Sequence, residues 1–344
     1  MIRLKATAKA ATAQRTDPPG GAALEVRDLT VEIMTHSGPV VAVDGVSFDA
    51  RSGQTIALLG ESGCGKSMTA QAVVGLLDPV ASVTGGQIRL GGADTRTMSR
   101  AERRKLAGPE LSIVFQDALT ALNPVYTVGT QLAEPFRIHR RMSAKEARGK
   151  AIELMRRVGI PEPETRVDAH PHQFSGGMRQ RLLIAMAVAL SPRVLLVDEP
   201  TTALDVTVQA QIMELLRGLR AEHSMAVVLI THDLALVSEQ ADQVAVMYAG
   251  SIVEQGPVAE VFSAPRHPYT RGLLDSVPVH AERGTTLSSI PGTPPDLHSI
   301  PSGCVFQARC PMVRDLCRTT RPALAATGEG RAAACHFSEE LSNG

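Results

Sequence analysis

Residues 60–67 read Gly60-Glu61-Ser62-Gly63-Cys64-Gly65-Lys66-Ser67, and they carry the most specific pattern in the chain. The pattern is G-x-x-x-x-G-K-S, in which the glycines let the backbone curl until several N–H groups point at one phosphate chain. The apolar run before it, residues 54–59, reads as a short buried strand, and residues 68–77 after it read as a helix. Because a phosphate-binding loop joins a strand to a helix N-terminus, this context favours a nucleotide site over a Gly-rich turn that binds nothing.

Two residues of the loop have individual expected roles. Lys66 brings a positive charge to the β- and γ-phosphates, and the hydroxyl of Ser67 is placed to bind Mg²⁺. We assign every residue from Gly60 to Met68 to nucleotide binding. Cys64, inside the loop, is interpreted as a small filler.

Composition excludes several other classes of function. Lys plus Arg and Asp plus Glu both number 35 in the 344 residues, so no charge excess points to nucleic acid or to an acidic surface. Tryptophan is absent and aromatic residues are 3%, which disfavours base-stacking platforms. No apolar run approaches the roughly 20 residues that cross a bilayer. Residues 1–22 lack the apolar stretch of a signal peptide, and we interpret them as a mobile tail on a cytoplasmic protein.

The order of predicted elements is that of an α/β protein with insertions. Residues 24–50 alternate apolar and polar side chains as in an antiparallel strand pair, and residues 117–173 have helical periodicity, with Ser143 as a helix N-cap. Continuous apolar runs at 193–198 and 226–230 are typical of central parallel strands. We therefore expect a tail over 1–22, a nucleotide domain over 23–256 with a helical subdomain at about 117–173, and an extension over 257–344.

Further residues are candidates to act on a nucleotide bound at this loop. Asp198, at the end of an apolar strand, stands where a second Mg²⁺ partner is expected, and Glu199 beside it can polarise water. Ser175-Gly176-Gly177 forms a second glycine-bearing turn that opens a helix and suits an anion, while His232 follows another strand and can reach a γ-phosphate. Each residue also has a plain structural interpretation, with Asp198 as a strand-end carboxylate, Ser175 as a helix cap and His232 as a solvated histidine. The order of these residues around one phosphate loop favours a common site instead.

These residues carry a resemblance to the ATP-binding subunits of ABC transporters, which spans roughly residues 24–256. The matching motifs are the Walker A loop already quoted, the Q-loop Gln116, the signature Ser175-Gly176-Gly177-Met178-Arg179-Gln180, the Walker B strand Val194 to Asp198 with Glu199, the D-loop Ala203-Leu204-Asp205 and the switch residue His232. The resemblance implies a P-loop NTPase fold of class α/β, with an antiparallel β subdomain, a helical subdomain insertion and a C-terminal cysteine-containing extension.

A finer resemblance is to the peptide/nickel import subfamily, and it reaches nearly to the C-terminus. It is carried by the segments 174–181, 198–209 and His267-Pro268-Tyr269-Thr270, which are similar to the D-type ATPases of dipeptide and oligopeptide importers. This implies a sister F-type ATPase, two transmembrane permease subunits, a periplasmic or lipid-anchored substrate-binding protein, and a place on the cytoplasmic face of the inner membrane. Peptides are the expected cargo; nickel, glutathione and sugar-like solutes remain open.

The family likeness also implies a head-to-tail dimer in which each phosphate loop faces the partner's signature turn. In this arrangement Ser67, Gln116 and Asp198 arrange Mg²⁺, and Glu199 is the general base for the attacking water. His232 stabilises the γ-phosphate, while Asp205 communicates across the interface. Gln116 also joins the helical insertion to the core, where it can report nucleotide state to a membrane-spanning partner.

One departure and three alternatives remain. The family stacks adenine on an aromatic residue before Walker A, yet residues 24–43 contain none, and Met34, His36 and Val41 are the nearest candidates.

Three other classes of nucleotide-binding protein fit the sequence less well. A chromosome-organising or DNA-repair ATPase needs a long coiled-coil insertion, for which residues 117–173 are too short. A translation-associated ABC protein carries two cassettes, whereas each motif occurs once here, and a purely structural nucleotide-binding scaffold has no use for Glu199.

Four cysteines lie in the C-terminal extension, at Cys304, Cys310, Cys317 and Cys335. Structural disulfides are rare in cytoplasmic proteins, and zinc sites usually show tight C-x₂₋₄-C pairs, which are missing here. An iron–sulfur cluster, zinc and free or buried thiols are the readings left open by the spacing. The resemblance favours a [4Fe–4S] cluster, because peptide-transporter ATPases with a similar tail carry one. Its role would be structural, and since the tail is remote along the chain from every nucleotide motif, we expect no redox step in hydrolysis.

Overall fold

The computed structural model describes residues 22–116, 121–200, 205–276 and 289–343. The expected N-terminal tail up to residue 21, the first residues of the helical insertion at 117–120 and the D-loop residues Ala203 and Leu204 lie outside these ranges.

The described strands form two sheets. The strands are β1 Leu24–Thr35, β2 Gly38–Ala50, β3 Thr55–Leu59, β4 Ala81–Leu90, β5 Ala93–Asp94, β6 Leu111–Val114, β7 Val194–Asp198, β8 Ala226–Thr231, β9 Gln243–Tyr248, β10 Ser251–Pro257, β11 Ala325–Gly328 and β12 Arg331–Ala333. The smaller sheet is antiparallel with the order β2-β1-β4-β5, and the larger sheet has the order β11-β12-β10-β9-β3-β8-β7-β6.

Helices cover the larger sheet and build the insertion. They are α1 Lys66–Val74, α2 Arg100–Leu106, α3 Val128–Arg140, α4 Ala144–Arg157, α5 Pro163–Arg166, α6 Gly176–Val188, α7 Val206–His223, α8 Leu234–Gln240, α9 Val258–Ser263, α10 Pro268–Asp275 and α11 Asp315–Thr319. None of the helices in the described ranges is both long and apolar enough to cross a membrane.

The centre of the larger sheet is parallel and buried on both faces. Every residue of β3, β7 and β8 is buried, as expected of the continuous apolar runs that code for these strands. β3 pairs in parallel with β8, β8 with β7, and β7 with β6. Because parallel strands end at the same edge of a sheet, the segments that follow these four strands are brought together there.

The sequence pattern of residues 24–50 predicts an antiparallel strand pair, and β1 and β2 form it. The register between the two strands shifts at several points that the pattern does not reveal. One shift lies between Val26 and Leu29, where Asp28 has a φ of +48°, so a bulge takes up the polar pair Arg27-Asp28.

The helical insertion follows its capping signals closely. Thr127 caps α3 by accepting from the backbone N–H of Thr130, and Ser143 forms a capping box with Glu146 at the start of α4. The predicted N-cap at Ser143 is therefore confirmed. Leu132, Phe136 and Met155 bury the facing sides of these two helices in one core with α6.

The C-terminal residues pack directly against the larger sheet. β12 pairs with β10 through Glu254 opposite Ala333 and Gln255 opposite Ala332. Tyr248 of β9, Tyr269 of α10 and Phe306 share one apolar cluster. The cysteine-bearing tail thus has its core in common with the strands that precede it.

Candidate functional site

The loop over residues 60–67 needs its glycines for two different reasons. Gly63 and Gly65 have φ values of +80° and +103°, a region that residues with a Cβ rarely adopt. Gly60 has no such backbone, but a Cβ there would lie 2.3 Å from the carbonyl oxygen of Met247. The loop is therefore confined between strand β9 and the start of α1, as a phosphate-binding turn requires.

Lys66 lies inside this loop, at the first residue of α1. Its side chain is buried, and its amine donates to the carbonyl oxygens of Gly60 at 2.8 Å and of Glu61 at 2.9 Å. These contacts hold a positive charge in the same turn as the free N–H groups of the helix N-terminus. Both features attract an anion to this point.

Ser67 and Asp198 meet although 131 residues separate them. The Ser67 hydroxyl donates to Oδ1 of Asp198 at 3.1 Å. Burial raises the pKa of Asp198, while the hydrogen bond from Ser67 lowers this pKa, Glu199 raises it and Lys66 lowers it. A hydroxyl and a carboxylate side by side are oxygen donors of the kind that Mg²⁺ prefers, so these two predicted metal ligands are placed together.

Glu199 follows Asp198 and is held by two other predicted site residues. Nε2 of Gln116 donates to Oε2 of Glu199 at 2.7 Å, and Nδ1 of His232 lies 3.1 Å from Oε1. The Glu199 N–H donates to the Ile230 carbonyl at 2.9 Å, and Glu199 has a φ of +43°. The ends of β6, β7 and β8 therefore deliver three polar side chains to one point beside the phosphate loop.

The signature turn and Asp205 form a second group at neighbouring helix N-termini. Ser175 caps α6 by accepting from the N–H of Met178, and Asp205 caps α7 by accepting from that of Val208. A Cβ on Gly177 would lie 2.6 Å from Cγ1 of Val208. The glycine therefore allows the two N-termini to approach each other. Ser175 and Gly176 are exposed, as an anion site for another molecule requires.

Two residues of the C-terminal region contact the phosphate loop, a contact that was not predicted from the sequence. The N–H of Glu61 donates to the hydroxyl oxygen of Tyr269 at 3.0 Å. The Arg309 guanidinium donates twice to the Glu61 carboxylate, at 2.7 and 3.0 Å. Both residues lie in segments that carry the peptide-importer resemblance, but nothing local in those segments indicates this partner.

The four tail cysteines come together in space. Cys304, Cys310, Cys317 and Cys335 all line one small cavity. The N–H of Cys304 donates to the Cys317 carbonyl at 2.8 Å, and a Cβ on Gly303 would lie 2.3 Å from that same oxygen. Burial raises the pKa of Cys304 and Cys310, and raises that of Cys335 to about 11.

This geometry does not support a site for a single metal ion. Within the described ranges, no group of three or more His, Cys, Asp or Glu side chains is arranged to hold one. The prediction of a cysteine-bound metal is therefore not supported by the positions of the side chains. The structure shows only that the four cysteines surround one cavity.

Comparison with known proteins identifies the family. Residues 43–202 match the sequence model of a family described as "ABC transporter". Residues 253–317 match that of a family described as "Oligopeptide/dipeptide transporter, C-terminal region". The chain is 46% identical to the dipeptide transport ATP-binding protein DppD of Escherichia coli K12, over 92% of this chain and 97% of the relative. It is 48% identical to DppD of Bacillus subtilis 168, over 92% of this chain and 95% of the relative.

The chain belongs to the family of ABC transporter ATP-binding proteins. A solved structure agrees with this assignment: the dimeric post-hydrolysis state of the ATP-binding cassette MJ0796 bound to ADP and Pi has a TM-score of 0.62 and 26% identity, over 68% of this chain and 98% of that one. The expected fold class is confirmed. This ABC ATPase is an ATP hydrolase of the transport type, and ATP with Mg²⁺ is its expected nucleotide complex.

Proposed function

We propose that this ABC ATPase powers the import of peptides across a bacterial inner membrane. The observation that carries the proposal is the match of residues 253–317 to the C-terminal region of oligopeptide and dipeptide transporters. That region includes most of strand β10 and reaches the phosphate loop through Tyr269 and Arg309. The dipeptide transport proteins with which the chain shares nearly half of its residues add support.

The site residues take the following roles in this proposal. The loop from Gly60 to Ser67 and the charge of Lys66 hold the nucleotide phosphates, while Ser67 and Asp198 bind Mg²⁺. Gln116 helps to arrange Mg²⁺, Glu199 accepts the proton of the attacking water, and His232 stabilises the γ-phosphate. The contacts of Gln116 and His232 with the Glu199 carboxylate also orient this base. Phosphoryl transfer depends on positioning and on charge stabilisation, so a fixed carboxylate beside a metal and a lysine is the arrangement that the reaction requires.

A composite site explains the second anion-binding turn. Ser175, Gly176 and Gly177 lie at the N-terminus of α6, where Ser175 and Gly176 are exposed, while the phosphate loop already gives this chain an anion site of its own. We therefore infer a head-to-tail pair with a sister F-type ATPase, in which this turn and Asp205 serve the nucleotide of the other subunit. Two permease subunits and a periplasmic or lipid-anchored binding protein would complete the importer, with this chain peripheral on the cytoplasmic face.

The cysteine cavity is proposed to hold a [4Fe–4S] cluster. Cysteine thiolates ligate such clusters, and each thiolate binds a different iron, so the sulfur atoms surround the cluster instead of converging on one ion. The four cysteines that line the cavity are the number of thiolates that such a cluster takes, and the sequence lacks the tight C-x₂₋₄-C pairs usual for zinc. Cys304, Cys310, Cys317 and Cys335 would release protons on binding, and burial, which raises the pKa of Cys304, Cys310 and Cys335, opposes that release.

Reconstitution tests the transport function. The chain, its sister ATPase and the two permease subunits in proteoliposomes, with the binding protein added, are expected to take up a labelled dipeptide in an ATP-dependent manner. The same vesicles carrying Glu199→Gln in this chain serve as the matched control. Uptake of nickel or of glutathione without any uptake of peptides would overturn the choice of cargo while leaving the ATPase assignment in place.

A further inference from the structure

Arg309 reaches into the phosphate loop from the tail segment that carries Cys304 and Cys310. Its side chain is only 5% exposed, and its two terminal nitrogens donate to the two carboxylate oxygens of Glu61. Its Nε donates to the carbonyl oxygen of Pro291 at 2.9 Å, and its guanidinium lies 5.8 Å from the centre of the Tyr248 ring. The contacts with Pro291 and Tyr248 therefore hold the guanidinium in place independently of its ion pair with Glu61.

Glu61 is an unfavourable residue for a phosphate-binding turn. It is the only acid among residues 60–67, and it directly follows Gly60, whose carbonyl oxygen accepts from the Lys66 amine. A carboxylate in this turn repels the phosphates that Lys66 attracts. A bidentate guanidinium is the strongest partner that a protein offers a carboxylate, and arginine stays charged at every physiological pH.

We propose that Arg309 is a positioning residue for ATP binding: it neutralises Glu61 and, together with Tyr269, holds the first turn of the phosphate loop in place. Tyr269 contributes by accepting from the Glu61 N–H. Its ring packs on Tyr248 and Phe306, with ring centres 4.7 and 5.4 Å away. The peptide-transporter-type region thus acts on the nucleotide site of its own chain.

The effect of the pair on ATP binding is measurable. The Arg309 side chain is buried and that of Glu61 is 28% exposed, so the pair is only partly screened by water. Without Arg309, the carboxylate of Glu61 has no cation to offset its repulsion of the phosphates. In the purified full-length chain, Arg309→Leu is expected to raise the dissociation constant for Mg-ATP about tenfold, the change expected for one charged hydrogen-bonding group.

A second substitution separates charge from folding. In the double variant Arg309→Leu with Glu61→Gln, the repulsion is gone, and the affinity for ATP should return to within about threefold of the wild type. A purely structural role of Arg309 predicts that the double variant binds no better than the single one. That result would overturn the proposal.

Two further variants complete the test. Arg314→Leu removes another bidentate arginine–glutamate pair of the same region, with Glu340, and is expected to leave the affinity for ATP unchanged. A loss equal to that of Arg309→Leu would assign the effect to the region as a whole and contradict the proposal. If Arg309→Leu does not fold, Glu61→Gln alone decides, because it removes the repulsive charge together with the ion pair. The proposal requires its affinity for ATP to lie within about threefold of the wild type or above it, and a tenfold loss would contradict the proposal.

Discussion

Gln116 holds Glu199 through a hydrogen bond of 2.7 Å between Nε2 and Oε2, although the two residues follow different strands. Gln116 stands where the sheet passes into the helical insertion, and Glu199 follows the strand that ends in Asp198. A movement of the insertion that carried Gln116 with it would therefore also move the amide that orients the candidate general base. The link joins the part of the chain expected to meet a membrane partner to the part expected to activate water.

The Glu199→Gln variant should keep its affinity for ATP and lose multiple turnover. The amide cannot accept a proton from water, and the loss of general-base help slows chemistry by about 10²–10⁴-fold. ATP binding and steady-state phosphate release in the reconstituted transporter measure the two effects separately. Glu214→Gln, an exposed carboxylate on α7, serves as the control. Wild-type turnover in Glu199→Gln would remove this residue from the mechanism.

Asp198→Asn should raise the Mg²⁺ concentration needed for half-maximal ATPase activity. The substitution keeps an oxygen near Ser67 but removes the charge that a divalent cation requires, so the metal affinity falls while the fold is retained. Titration of activity with Mg²⁺ at saturating ATP gives the shift. An unchanged titration curve would show that Asp198 is no metal partner.

Ser175→Arg tests whether the signature turn serves another subunit. The bulky cation at the exposed turn should block the partner's nucleotide, while the affinity of this chain for its own ATP stays within about twofold, because Lys66 is untouched. Assembly of the variant with wild-type sister ATPase, followed by trapping of labelled nucleotide on each subunit, locates the defect. A defect confined to this chain's own loop would contradict the composite site.

The cysteine cavity makes a prediction on metal content. Anaerobically purified protein should be brown and hold about four irons per chain. Cys317→Ser should lose the iron and the colour, whereas Cys64→Ala, which changes a buried thiol in the phosphate loop, should retain both. Colourless anaerobic protein with one zinc per chain would exclude the iron–sulfur cluster.

His267 predicts a pH dependence of stability. Burial lowers its folded-state pKa from 6.5 to about 3, so between these values the unfolded chain binds a proton that the folded chain does not. The free energy of unfolding therefore falls as the pH drops below about 6.5, by up to about 1.4 kcal/mol per pH unit from this residue.

The variant His267→Asn isolates that contribution. Asparagine can still accept from the Tyr269 N–H, as Nδ1 of His267 does, but it takes up no proton. Urea unfolding at several pH values between about 5 and 8 should give a flatter profile for the variant. Glu254, whose pKa is raised by burial, contributes in the opposite direction and is common to both proteins. Parallel profiles would show that His267 takes no part.

Much of the site could be predicted because its signals are local. The glycines and Lys66 of the loop, the capping residue Ser143 of α4, and Asp198 and Glu199 at the end of β7 each lie next to the element they define. The order of strands in the sheet carries no such signal, and it emerged only from the structure. The bulge at Asp28 was not predicted, because a break in an alternating pattern does not by itself distinguish a bulge from a loop.

The contact of Arg309 with Glu61 could not be read from the sequence for a different reason. The two residues are 248 positions apart, and an arginine among cysteines or a glutamate in a loop has many possible partners. The large separation along the chain also suggested that the tail is remote from the phosphate loop, whereas the structure places the two in contact. Tertiary packing, including that of Tyr248, Tyr269 and Phe306, brings the segments together.

The pairing of β12 with β10 has a consequence for how this chain can be divided. Without the last strands, β10 would be the outermost strand of the larger sheet, with a row of unsatisfied backbone donors and acceptors open to any other extended segment. A fragment that stops after Pro257 would also uncover the apolar faces of Tyr248 and Val253. Such a fragment should aggregate during expression, so the shortest soluble form of this ATPase extends through β12.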